Sequence, residues 1–181
     1  MLIWSVGHGA RTLDAFAALL NSAQIETLVD IRTAPYSARH PHFSGVPLAA
    51  ALRERGIGYE HRKALGGWRR SPPSSPHAAL KEPGFRGYAD HLADGAFVAA
   101  YADLRAMAMD KRAAFMCSET LWWKCHRRIL ADRLVADGWE VRHLIKPGAD
   151  AEPHRLWDLA RVTADGRLVY DQGELTLFRD A

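Results

Sequence analysis

The chain has 181 residues, 48% of them hydrophobic and 25% charged, enough apolar material for a buried core in one compact α/β unit. Its formal charge of +3 is too small to imply nucleic acid by itself. No apolar run approaches the roughly 18 residues of a membrane helix, and two cysteines without a secretory h-region fit free thiols in a reducing cytoplasm, with no membrane partner.

In chain order, Leu2 to Val6 is a short apolar strand running into Gly7-His8-Gly9. Thr12 is placed to cap a helix over Leu13 to Ser22, with Leu13, Phe16, Ala17 and Leu20 on one face. Thr27 to Ile31 is a second strand, closed by Asp30-Ile31-Arg32. A turn-rich loop with Pro35, Ser37 and Pro41 follows, then a short helix begun by Pro47 and ended by Gly56. Ile57 to His61 is a third strand. Residues 62–84, with Leu65-Gly66-Gly67-Trp68-Arg69-Arg70 and a Ser/Pro run, resist regular structure, and their length predicts a functional or mobile flap. Two helices follow, over Phe85 to Leu92 and from an Asp94 cap to Asp110. Ala113 to Cys117 is a buried strand, and helical spacing runs from Cys125 to Ala136 before Gly138. Trp139 to Ile145 is a fifth strand, and Arg167 to Tyr170 belongs to a small C-terminal hairpin.

Strands alternating with helices predict a single domain over 1–181. Its fold class is α/β: a doubly wound, mainly parallel five-stranded sheet with helices on both faces. Such a sheet gathers its strand ends along one edge, where ligands bind. The residues at those ends are His8, Asp30 and Arg32, His61, Cys117 and Glu119, and finally His143 and Lys146. Five separated segments thus send chemically capable groups to one crevice.

Each group has a functional reading and a plainer one. His8 is flanked by glycines that permit close approach to a ligand, or it satisfies turn carbonyls. Asp30 and Glu119 are candidate acids or bases, and each is equally suited to orient an arginine. Cys117 or Cys125 is a candidate nucleophile, or a small buried hydrophobe. A phosphatase loop is excluded, because the sixth position after Cys117 is Trp123 rather than arginine. A metal is not expected: paired C-x-x-C spacing is absent, and neighbours on a helix, as Cys125 and His126 are expected to be, diverge by about 100°.

His126 and Arg127 at a helix start suit an anion clamp. Arg32, Ser37 and Arg39 are further candidate phosphate contacts. Gly66, Gly67, Trp68 and Arg69 combine flexible glycine, an aromatic plate and a cation, a set suited to a ligand with a base and a phosphate. Between Arg32 and Arg70 eight cations face only Glu54 and Glu60. The residues therefore point first to an enzyme acting on a nucleotide or nucleic acid. A non-catalytic nucleic-acid-binding module and a thiol redox or metal-responsive protein are the alternatives, and oligomeric state and cofactor stay open.

Ser5-Val6-Gly7-His8-Gly9, Asp30-Ile31-Arg32 with Pro35 and Ser37, Leu65-Gly66-Gly67, Cys117-x-Glu119 and Cys125-His126-Arg127 together resemble the bacterial family called domain of unknown function 488. The terminal Leu175 to Phe178 is similar to that family's common ending. The resemblance implies a compact α/β domain and a map of motifs; it implies no reaction.

Overall fold

A computed structural model describes residues 1–172. Six strands form one sheet in the order β3-β2-β4-β1-β5-β6. They are β1 Leu2–Gly7, β2 Thr27–Asp30, β3 Gly58–His61, β4 Ala113–Cys117, β5 Glu140–Leu144 and β6 Glu152–Pro153. The first five are mutually parallel, and β6 runs antiparallel to β5. The sixth strand corrects the expected five. It pairs only two residues with β5, Glu152 and Pro153, too few for any periodicity to register. The expected hairpin forms as β7 Ala160–Val162 against β8 Leu168–Tyr170.

Alternation of side chains explains the two cores. Trp4, Val6, Leu28, Ala114 and Met116 face α1 (Leu13–Ser22) and α2 (Gly45–Arg53), whose Phe16, Leu19, Leu20, Leu48 and Leu52 complete one cluster. Ile3, Val29, Phe115 and Val141 face α3 (Pro83–His91), α4 (Gly95–Asp110) and α5 (Arg127–Ala136). Thr12 does cap α1, its hydroxyl accepting from the amide of Ala15 at 3.2 Å.

Strand order fixes where a ligand can enter. The chain leaves β1 toward α1 on one face, and leaves β4 toward α5 on the other. β1 and β4 are neighbours, so their outgoing loops part and open a gap between them, the switch point of a doubly wound sheet. Before parting they stay joined for two more residues, His8 N–H donating to the Cys117 carbonyl and Gly9 N–H to that of Ser118. Gly7 is required at this junction, since a Cβ there would sit 1.8 Å from the Glu119 carbonyl oxygen.

Residues 62–84 contain a short 3-10 turn at Lys63–Leu65 and otherwise no regular element before α3. They are nonetheless tied down. The Asp90 carboxylate accepts from Ser71 and Ser75 at 2.6 and 2.8 Å, and the Leu80 carbonyl accepts from Arg86.

Candidate functional site

A cavity of about 910 Å³ lies at the β1–β4 switch point. His8, Arg32, Ser37, Gly67, Trp68, Cys117, Glu119, Cys125 and His126 all line it. These are nine of the residues singled out in the sequence, and they come from five stretches of chain. Its size and mixed lining suit a small-molecule ligand.

The floor is built around two buried thiols and a histidine. Cys117 ends β4, and Cys125 follows the 3-10 turn Trp122–Lys124. Their sulfurs and the His126 Nδ1 lie within 4.8 Å of one another, with Cys117 Sγ 3.8 Å from that nitrogen. The expectation that Cys125 and His126 diverge is overturned. The helix starts two residues later than the spacing suggested, at Arg127, and Cys125 is extended at φ −143° and ψ 173°. Consecutive side chains therefore need not follow the 100° helical step. A hydrogen bond from Cys125, helped by His126 and Arg127, holds the Cys117 thiol well below its ordinary range, and burial pushes Cys125 up.

His8 and Arg32 form the adjoining wall. His8 Nδ1–H donates to the Gly9 carbonyl at 2.9 Å, which leaves Nε2 as the acceptor for Arg32 Nη1 at 3.3 Å. Its ring stacks on Phe43 with centroids 4.3 Å apart. Burial, with the Arg32 charge beside it, lowers the His8 pKa to about 4, so the ring is neutral at pH 7. Asp30 does not reach the cavity. Its carboxylate, fully buried, grips Arg32 through both Nε and Nη2 and accepts from the Tyr59 hydroxyl at 2.7 Å. Of the two roles open to Asp30, it fills the orienting one.

Arg127 is likewise withdrawn. It is 1% exposed and absent from the cavity lining. Its Nη2 donates to the carbonyls of Glu119 and Thr120, Nη1 to Ser5 Oγ at 3.3 Å, and Nε to Cys125 Sγ at 3.2 Å. A guanidinium so engaged holds the loop after β4 in place instead of clamping a ligand. Gly66, Arg39 and Arg69 do not line the cavity either, Arg39 being exposed on the loop and Arg69 donating to the Gly66 carbonyl. His61, His143 and Lys146 fall outside it, because β3 and β5 flank the three strands whose ends surround the gap. On the β5 side Arg11 closes the edge, donating to the Gly7 and Ile145 carbonyls.

His77, His91 and His154 are buried with partners. His154 belongs to a sealed chain in which Asp132 accepts from His154 at 2.8 Å and from the Tyr170 hydroxyl at 2.8 Å. His154 Nδ1 in turn meets His143 at 2.9 Å.

The mouth is aromatic. Trp68, at the tip of the 62–84 segment, is 91% exposed and holds a left-handed backbone, φ 60°. Tyr36 and Trp123 are also exposed on the rim. Gly67 sits so close to the His126 ring that a Cβ would lie 2.8 Å from Nδ1, which brings the Trp68 backbone directly over the floor. Thr33 secures it by donating to the Gly67 carbonyl at 2.7 Å. Thr33, Tyr36, Lys124, Glu82 and Phe85 line the cavity without having been singled out in the sequence. Only Lys124 carried a signal, a cation one residue before Cys125.

A model of the family described as domain of unknown function DUF488 matches residues 12–134. The chain belongs to that family. The match takes in Asp30 to Arg32, Gly66-Gly67, Cys117 to Glu119 and Cys125 to Arg127, and ends before the β5 strand; His8 lies just ahead of it. No curated protein matches, and no solved structure does. Among the described residues no helix is long and apolar enough to cross a membrane. The expected similarity at Leu175 to Phe178 lies outside the described residues.

Proposed function

We propose that the cavity is the substrate site of an enzyme that acts on a nucleotide, free or within a nucleic-acid strand. The observation that carries this reading is the pairing of an aromatic rim with a reactive floor. Trp68, exposed and held at a backbone angle that non-glycine residues seldom adopt, offers a ring face for a base. Lys124 supplies positive charge toward phosphate on the wall. Beneath them stand the Cys117–Cys125 thiols and the His126 ring, with the exposed Glu119 on the same wall as a proton carrier. The alternative, a module that only binds nucleic acid, gives no physical reason for a buried thiol pair with a histidine beside it at the bottom of the cavity.

The test is binding of nucleoside monophosphates and short single-stranded oligonucleotides, followed by tryptophan fluorescence at two salt concentrations. Stacking on Trp68 predicts that Trp68→Gly weakens binding by about 1–3 kcal/mol. Lys124→Ala is expected to flatten the salt dependence of oligonucleotide binding by about one unit of slope. No binding of either ligand class at low salt removes the nucleotide reading.

A further inference from the structure

The geometry points to a metal site at the floor of the cavity: Cys117, Cys125 and His126 as three ligands for zinc or a similar thiophilic divalent cation, with the fourth position open to substrate. The inference rests on the cavity being a substrate site, but its own evidence is separate.

The ligand atoms are already gathered. Tetrahedral zinc, with Zn–S about 2.3 Å and Zn–N about 2.0–2.1 Å, sets neighbouring ligand atoms roughly 3.5–3.8 Å apart. Cys117 Sγ and His126 Nδ1 stand at 3.8 Å, and all three donors fall within 4.8 Å of one another. Small rotations of the cysteine side chains close the remainder.

The histidine is oriented as a ligand. Its Nε2–H donates to the Ile31 carbonyl at 3.2 Å, so the lone pair on Nδ1 faces the sulfurs. Metal-bound histidines are commonly fixed in this way through the other ring nitrogen. The ring is packed 5.0 Å from that of Tyr88 and backed by Gly67, which leaves it little freedom to turn. The second sulfur has an outer partner too. Arg127 Nε donates to Cys125 Sγ at 3.2 Å, a charge-assisted bond suited to a ligand thiolate.

Three protein ligands from Cys and His, rather than four, mark a site that keeps a place for water or substrate. All three line the cavity, as does Glu119. A cation bound there would supply Lewis acidity beside the substrate. Glu119, which lines the same cavity, would be available there as a proton carrier.

The experiment begins with purified full-length protein, stripped with chelator under reducing conditions and titrated with cobalt(II). A thiolate-to-cobalt charge-transfer band saturating at one equivalent, and bleached by zinc, is the expected result. Cys117→Ser and Cys125→Ser abolish the band, and His126→Gln weakens cobalt binding by at least tenfold. Should those variants fail to fold, alkylation of the unaltered protein decides: one equivalent of zinc protects both of the chain's cysteines. An exogenous ligand such as imidazole shifts the cobalt spectrum if the fourth position is open. Absence of the band together with unprotected thiols overturns the site, and so does formation of a Cys117–Cys125 disulfide in air with no metal uptake under reduction. Trp68→Gly should bind cobalt like the unaltered protein. Nucleotide binding without cobalt binding therefore defeats the metal site alone, and cobalt binding without nucleotide binding defeats the substrate reading alone.

Discussion

Two histidine clusters lie on either side of β1, and they differ in one respect above all. At the β1–β4 gap, His8, Arg32, Cys117, Cys125 and His126 face a cavity. On the β5 side, Asp132, His154, His143 and Tyr170 form a hydrogen-bonded chain closed off from solvent. Trp122 lies flat on His143 with centroids 4.1 Å apart and covers it. Both clusters hold titratable groups in unusual environments, and by residue type alone the second resembles a proton relay. None of its four residues lines the cavity. Apart from His143 Nδ1, which has no partner, its polar groups satisfy one another inside the core, whereas those of the first line open space. Perturbed ionisation identifies both; access separates them.

The comparison predicts opposite responses to substitution. The largest effect belongs to Asp132→Ala. It strands the His154 ring, the Tyr170 hydroxyl and the Trp157 amide, all of which now donate to that carboxylate. A loss of roughly 3–5 kcal/mol in denaturant unfolding is expected, while ligand binding by the protein that remains folded is unchanged. A loss below about 1 kcal/mol would show that the chain contributes little to the core.

Acid should act on both clusters. Burial lowers His8 to about 4 and, with His154 beside it, His143 to about 2. Both return to about 6.5 in the unfolded chain. Below pH 6.5 the unfolded state therefore binds more protons than the folded one. Stability is full above that pH and declines as it falls, until about pH 4 for His8 and about pH 2 for His143. The slope is at most about 1.4 kcal/mol per pH unit for each histidine. Denaturant midpoints at pH 7 and pH 5 test this, and equal stability at the two would contradict it. His143→Phe, which keeps a ring against Trp122, should remove part of the slope.

At the cavity the pattern reverses. Trp68→Gly removes an exposed ring and relieves a left-handed backbone, so stability should change by less than about 1 kcal/mol even as nucleotide binding weakens. If stability drops by much more, Trp68 is a packing residue and the rim reading fails. The smallest effect is expected of Arg39→Ala. Its side chain is exposed and outside the cavity, so a single nucleotide should bind it unchanged. Only a longer oligonucleotide, tracking the outer surface, would lose about one unit of salt slope.

Much of the frame was legible because it depends on local pattern. Ala113 to Cys117 and Leu2 to Val6 are apolar runs of strand length, and Thr12 and Asp94 stand where the helices begin, Thr12 alone capping with its side chain. Strand-end reasoning named four of the cavity's residues, His8, Arg32, Cys117 and Glu119, since in a parallel sheet the end of a strand is also its place on the site edge. What it could not supply was strand order. His61 and His143 qualified by the same rule and were excluded because β3 and β5 lie beyond the strands at the switch point.

Side-chain role was still less legible. Asp30 and Arg127 belong to the motifs as much as Arg32 and His126 do, yet both turn inward to hold other groups in place. The sequence by itself determined the alternation of elements, the motifs and the edge on which they would meet, because hydrophobic period and strand polarity are local properties. Only the tertiary structure decided that Cys125 leaves the helix and joins Cys117 and His126, because a two-residue shift in the helix start changes where every side chain before it points.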